Sequence, residues 1–256
     1  MSRPWWQETF NQDYLDIYGP HLELRAATEI EGIWRLCELT KVDPTQFRIL
    51  DLGCGHGRHS VPLAQQGFMV TGMDQCQLFL RRARQRARRA GTAVRWLEGC
   101  FSKLTDRNHY DLVLSLYHSF GYFEDESCQE DLLRRILRSL KPGGRFLLDM
   151  WGLQDLNRHL GRQTIQMPDF DFEETVELLE EVQPRREPYL RLKILQKIGR
   201  PSGWRQYTHS LRMYHPQQLH DLLSQVGFVN VRLYGSFDGQ STAEGDRLIA
   251  LADRKG

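Results

Sequence analysis

Net charge is almost missing from this chain: 34 Lys and Arg oppose 33 Asp and Glu over 256 residues, leaving +1 with histidine neutral. Without a long-range field of one sign, neither nucleic acid nor a membrane surface is expected as partner. Long apolar runs are missing too, and the leader "MSRPWWQETF" lacks the apolar core of a secretory signal, so a soluble protein is expected. Cysteine is sparse. Cys37, Cys54, Cys76, Cys100 and Cys128 are odd in number and form no C-x-x-C pair, which argues against a disulfide framework or a zinc site and for reduced thiols in the cytoplasm. No H-x-x-x-D pattern and no cluster of His, Cys and carboxylates predicts a metal. Repeats and low-complexity linkers are absent, and the length fits one large domain carrying an insertion.

What is present is an alternation. "ATEIEGIWRLCEL" (27–39) sets Ile30, Ile33, Trp34 and Cys37 on one side of a helix. "RILDLG" reads as a strand, followed by a helix over 61–66, a strand over 68–74, a helix over 75–90 and a strand over 93–98. The strand "YDLVLSLY" (110–117), a helix over 126–140, the turn "KPGG" and the strand "RFLLDM" (145–150) come next. Strands alternating with helices predict right-handed crossovers and a mostly parallel sheet covered on both faces. The pattern changes at about Phe172, where "ETVELLEEV", "YLRLKILQKI" and "WRQYTHSLRMY" follow without a helix, separated by "QPRREP" and "GRPSG". Each run has one apolar face, and together they predict an antiparallel meander over 170–214. A final helix starts near Pro216 and stops at Gly227, ahead of "FVNVRLYG" and "RLIALAD".

"ILDLGCGHGRHS" (49–60) places Gly53, Gly55 and Gly57 directly behind a buried-strand pattern that contains Asp51. Strand, glycine-rich turn and helix together aim backbone N–H groups at a ligand and let it approach the bare main chain. The dinucleotide fingerprint G-x-G-x-x-G, counted from Gly53, needs a glycine where Arg58 stands, so a nicotinamide oxidoreductase is the weaker reading. The triphosphate-binding G-x-x-x-x-G-K-[ST] is also missing. An acid ends the next strand, Asp74 in "VTGMD". Roughly 20 residues beyond the loop, such a carboxylate is placed to accept both hydroxyls of an adenosine ribose.

With the order of the elements, these features resemble the class I S-adenosylmethionine-dependent methyltransferases. "YDLVLSLYHSFGYFED", "LKPGGRFLLDM" and "LLSQVGFVNVRLYG" look like that family's fourth strand, fifth strand and last helix with sixth strand. Within it, "LDLGCGHGRHS", "SFGYFED" and "GSFDGQ" look most like the small-molecule group. The resemblance implies a Rossmann-like α/β fold with a seven-stranded, mostly parallel sheet and an inserted antiparallel β meander. Residues 1–47 would form a lid and helix, 48–256 the methyltransferase domain, and 170–214 the cover of the active site. Its cofactor would be S-adenosyl-L-methionine, with Gly53, Gly55 and Gly57 on the methionine side, Asp51 toward the ammonium group and Asp74 on the ribose. Cys100, Phe101 and Leu116 would flank adenine. Relatives often have an aspartate where Cys100 stands, so the adenine amino group would find its partner in backbone or a neighbour.

The implied reaction is in-line methyl transfer to nitrogen or oxygen of a small-molecule acceptor. A binding protein or partner subunit without turnover, or an RNA or protein methyltransferase, are the alternatives. His118, behind the fourth strand, is the candidate general base, against a reading as plain pocket wall. Tyr117 and Tyr122 are read as pocket lining, and His209 as either reaching the acceptor from the meander or lying buried and satisfied. Tyr14 and Tyr18 are candidate lid residues that exclude water. Arg25 is a candidate fork for the cofactor carboxylate, against a plain surface arginine. The six arginines of "RRARQRARRA" (81–90) leave Phe79, Leu80, Ala83, Ala87 and Ala90 on one side when wound as a helix, which reads as a solvated outer face.

Overall fold

A computed structural model describes residues 5–123, 125–167, 169–181, 189–201 and 203–256. The chain opens with helices α1 (Trp5–Thr9) and α2 (Gln12–Leu36). Strand β1 (Arg48–Leu52), helix α3 (Ser60–Gln65), β2 (Met69–Asp74), α4 (Gln77–Arg89), β3 (Arg95–Glu98), β4 (Tyr110–Ser115), α5 (Glu126–Ser139) and β5 (Leu140–Trp151) follow. The short helix α6 (Leu156–His159) leads into β6 (Gly161–Met167), β7 (Phe170–Glu181), β8 (Tyr189–Arg200) and β9 (Gly203–Met213). Helix α7 (Pro216–Val226), β10 (Phe228–Tyr234) and β11 (Arg247–Arg254) complete the chain.

Seven strands form one sheet in the order β10-β11-β5-β4-β1-β2-β3. Only β11 is reversed, being antiparallel to both β5 and β10, which leaves the sheet mostly parallel, as the resemblance implies. The central strands are apolar on both faces because helices cover both faces. Leu50, Val113, Phe146, Leu148 and Leu248 pack with Leu132, Leu133, Ile136, Leu219 and Leu223 of α5 and α7. Their strand neighbours Ile49, Leu112, Leu114, Leu147 and Ile249 point the other way, onto Ile33, Cys37 and Leu63. The α4 arginines lie around the solvent side of a helix that buries Phe79, Leu80, Ala83 and Ala87.

Two elements depart from the sequence reading. Helix α2 is 25 residues long and runs through Gly19 and Pro20, a pair whose local chemistry marks a break. Packing overrides it: before the pair Tyr14 lies against Phe10 and Phe79, at 5.4 and 5.6 Å between rings, and after it Leu22, Ala26 and Ile33 are buried. The antiparallel unit has four strands, in the order β6-β7-β8-β9, because "GRQTIQM" adds an edge strand paired with β7. The predicted turn "QPRREP" lies outside the described residues, as do Glu124 of "SFGYFED" and Ser202 of "GRPSG".

Helix α2 is tied to the smaller sheet through Asp13. Its carboxylate accepts from Arg200 at 2.7 Å and from the Tyr207 hydroxyl at 2.9 Å, with Arg205 at 3.3 Å. The arginines hold the Asp13 carboxyl below its ordinary value against the upward pull of burial. Asp13→Ala is expected to cost about 1–2 kcal/mol, since charge-assisted hydrogen bonds are lost while the released arginines regain solvent. The urea midpoint of unfolding, at unchanged m, measures it.

Candidate functional site

The turn after β1 rests on three glycines in the left-handed region: Gly53 at φ +75°, Gly55 at +55° and Gly57 at +78°. A Cβ on Gly53 would stand 2.4 Å from Ser119 Oγ, and one on Gly57 would stand 3.0 Å from the Trp96 ring. The turn is therefore free to lie against the segment following β4 on one side and against β3 on the other. It is pinned to β2 by Gly53 and Cys54 N–H, which donate to the Met73 carbonyl at 2.8 and 3.1 Å.

Asp74 closes β2 and accepts the N–H groups of Gly55 at 2.8 Å and Cys76 at 2.7 Å. A carboxylate has about four lone-pair directions, so it retains acceptor capacity beyond those two bonds. Asp51 is buried and accepts the Ser60 hydroxyl. Burial pushes both carboxyls up to about 6, more strongly than their hydrogen bonds pull them down.

A cavity of about 310 Å³ lies over this turn. Asp51, Gly53, Gly55 and Asp74 line it together with Cys100, Phe101 and Leu116; Trp5, Phe10, Tyr14 and Tyr122 give it an aromatic wall. Within that wall Trp5 stacks on Tyr122, 5.2 Å between centroids, and Phe10 meets Tyr122 edge-on at 5.6 Å. Tyr117 and His118, also in the lining, have φ of +51° and +60°, a region that bulky residues occupy only when their surroundings hold them there. Asp149 holds them. Its carboxylate accepts the Tyr117 N–H at 2.9 Å, its carbonyl accepts the His118 N–H at 3.1 Å, and Arg247 grips its two oxygens at 2.8 and 2.6 Å.

The comparisons with known proteins agree with this geometry. Residues 49–144 match a family described as "Methyltransferase domain". The fold is that of an S-adenosylmethionine-dependent methyltransferase from Clostridium acetobutylicum ATCC 824, at a TM-score of 0.74 and 16% identity over 96% of this chain and 99% of that one. CalS10, an amino pentose methyltransferase from Micromonospora echinaspora solved with S-adenosylmethionine bound, superposes at a TM-score of 0.64 and 19% identity over 96% and 98% of the chains. This chain has the class I methyltransferase fold, and its residues 49–144 match a methyltransferase domain. A ubiquinone biosynthesis O-methyltransferase from Rickettsia canadensis (strain McKiel) is 30% identical over 144 residues, 56% of this chain and 56% of that enzyme, so the match spans just over half of that relative's length.

The cavity brings together Asp51, Gly53, Gly55, Asp74, Cys100, Phe101, Leu116, Tyr14, Tyr117, His118 and Tyr122. Four expected residues stand elsewhere. Gly57 supports the turn from behind, against Trp96 and Ala83. Tyr18, one helical turn past Tyr14, donates to Glu174 at 2.5 Å and accepts from Gln196. Arg25 pairs with Glu29 at 3.4 Å and is not among the residues lining the cavity. His209 lies one ring behind the lining, 6.4 Å from Trp5 and 6.1 Å from Tyr122. The smaller sheet as a whole stands there: the described lining includes none of its residues, and its core of Val176, Leu192, Ile194 and Leu211 packs against Tyr122 and Trp151.

The base role expected of His118 does not suit its geometry. Its Nδ1 accepts the Trp151 N–H at 2.9 Å, which leaves the neutral ring's proton on Nε2 and no lone pair free to take another.

Arg58 was visible in the sequence only as a missing glycine. It lines the cavity, lies 5.1 Å over the Tyr117 ring and is tied to buried Glu29, which also binds His59 Nε2 at 2.8 Å. Burial would raise the Glu29 carboxyl, but His59 and Arg58 outweigh it and hold it at about 2. Burial lowers the His59 imidazole to about 4, so this cluster is a carboxylate fixed by one cation and one neutral donor. A charged residue inside an apolar-periodic helix, such as Glu29 between Ala26 and Ile33, was the available sequence signal.

Proposed function

We propose that this protein transfers the methyl group of S-adenosylmethionine to a nitrogen or oxygen of a small-molecule acceptor bound in the cavity. The observation that carries the reading is Asp74, fixed on the cavity wall by Gly55 N–H with acceptor capacity to spare. Two ribose hydroxyls fit that capacity. Asp51, at the same wall, suits the ammonium group, and Phe101 and Leu116 suit the faces of adenine. Arg58, rather than Arg25, is the guanidinium on the lining and is the better candidate for the cofactor carboxylate.

The bound cofactor supplies an electrophilic methyl group on a sulfonium, ready for in-line displacement. The chain's own work is then to align the acceptor and keep water away. Trp5, Phe10, Tyr14 and Tyr122 do the latter as a mutually packed ring wall. Residues 1–47 act in this scheme as the lid of domain 48–256, and the antiparallel sheet braces the lid from behind. An acceptor of this size matches the small molecules named for the Rickettsia relative and for CalS10.

Cofactor affinity is expected to fall with acid. The carboxyls of Asp51 and Asp74 sit at about 6 in the free protein, and donors from the ligand favour their charged forms, so the bound values are lower. Below pH 6 binding must release protons, and Kd rises by about tenfold per pH unit for each group involved. Because the two folded values exceed the unfolded ones, their contribution to stability is full at low pH and is lost as pH rises through about 6. Ligand binding counters that loss, so S-adenosylhomocysteine should raise Tm more at pH 8 than at pH 5. Calorimetric titrations across that range, in buffers of different ionisation heat, check both the affinity trend and the proton release.

Incubation of the protein with a methyl-labelled donor and metabolite pools, read by mass, tests the function itself. A labelled product is expected. Absence of product together with no heat on adding S-adenosylhomocysteine would overturn it.

A further inference from the structure

His118 is buried, lines the cavity and, among the described residues, uses only one ring nitrogen. A backbone N–H can only donate, so the 2.9 Å bond from Trp151 places the lone pair on Nδ1 and the proton on Nε2. That Nε2 has no partner among the described residues. A buried N–H left unbonded costs about 1–3 kcal/mol, and the left-handed backbone that presents it adds a further cost. Asp149 and Arg247 are committed to holding that backbone. Holding the Trp151 N–H needs only the Nδ1 acceptor, so the Nε2–H is left over among the described residues. An unpaired polar group beside a ligand cavity has its natural explanation in the ligand.

We propose that His118 Nε2–H donates to an oxygen of the methyl acceptor, which assigns the acceptor to amines or alcohols that carry a carboxylate or carbonyl oxygen beside the methylated atom. This inference rests on the proposed methyl-transfer reading of the cavity. The groups around the ring keep it a donor. The Trp151 ring meets it edge-on at 5.2 Å; burial first of all, then the positive charge of Arg247 and the neighbouring His209, disfavour an imidazolium. His118 thus selects and orients the acceptor and moves no proton.

Two measurements on the full chain test this. In the first, nitrogen-15 NMR of the histidine side chains follows His118 between pH 5 and 8; a proton on Nε2 throughout is expected, and a proton on Nδ1 overturns the proposal. In the second, wild type, His118→Gln and His118→Phe receive a methyl-labelled donor and a pool of amines and alcohols. Each pool member is supplied as its carboxylate, its amide and the analogue without either group. Label is expected in carboxylate or amide members, and the two arms tell which oxygen is preferred. For such an acceptor His118→Phe should raise KM by about tenfold or more with kcat much less affected, and His118→Gln, which retains an N–H donor, should recover most of that loss. Label in neither oxygen-bearing arm, or an unchanged KM in His118→Phe, overturns the proposal. Calorimetry with S-adenosylhomocysteine separates the failures: heat with wild type alongside such a result sinks this inference alone, and no heat sinks the cofactor reading with it.

Discussion

Asp74→Ala is expected to weaken binding of S-adenosylhomocysteine by about a hundredfold or more. In the proposed complex two ribose hydroxyls donate to this carboxylate, and hydrogen bonds to a charged group contribute about 1.5–3 kcal/mol each, so losing both corresponds to at least two decades in Kd. The same substitution strips Gly55 and Cys76 of the acceptor for their N–H groups and loosens the turn that carries the bare backbone. Asp74→Asn separates the two effects. One amide oxygen keeps one of the two backbone donors, while the NH₂ group opposes the other and the hydroxyl donors, so the turn should be loosened less than in Asp74→Ala while affinity still falls by about tenfold or more. In Asp74→Ala the loss of that acceptor and the relief of a carboxyl raised to about 6 by burial oppose each other, so the urea midpoint should move less than the affinity. Calorimetric Kd and the urea midpoint, measured side by side, check the prediction. An Asp74→Ala protein that binds the ligand as wild type does would remove the residue on which the cofactor reading rests.

The parts of the molecule legible in the sequence are those where one physical cause dominates. Strands such as Leu112–Leu114 read clearly because both faces are buried and leave an unbroken apolar run. The three glycines stood out because every one of them has a positive φ, which the residue type announces. The end of α7 at Gly227, φ +114°, was legible for the same reason. Helix α2 was read only over 27–39, where the apolar periodicity lies; its earlier part, through Gly19–Pro20, is held by contacts that are long-range. Tyr14 and Tyr18 lie on one side of that helix, yet a single turn of displacement sends one to the cavity and the other to Glu174. Periodicity alone does not hold that distinction. The turn at Tyr117 and His118 carried little signal: a positive φ is uncommon for either residue type, and the groups that impose it, Asp149 and Arg247, are remote in sequence. Their trace was an acid at the end of "RFLLD" and an arginine at the start of "RLIALA", two charges bordering fully apolar strands.

That pair supports the second large prediction. Asp149 and Arg247 have side chains 1% and 3% exposed, joined by two hydrogen bonds across the antiparallel β5–β11 ladder. Removing one member of a buried pair strands the other charge without water, at about 3–5 kcal/mol, against a total stability of about 5–15 kcal/mol for a domain. Asp149→Ala should therefore lower the urea midpoint sharply, and it also takes the acceptor from the Tyr117 N–H. The double variant Asp149→Leu with Arg247→Met distinguishes stability from function. With both charges gone no orphan remains in the core, and the midpoint should recover much of its loss. The turn should not recover, since two left-handed residues cost about 1–3 kcal/mol each and the carboxylate that offset them is absent. Tyr117 and His118 would relax toward ordinary backbone, carrying the His118 ring away from Trp151 N–H. A stable double variant that has lost methyl transfer, and whose His118 no longer shows its proton confined to Nε2, is the expected outcome. Recovery of activity along with stability would mean that the buried pair serves the fold alone.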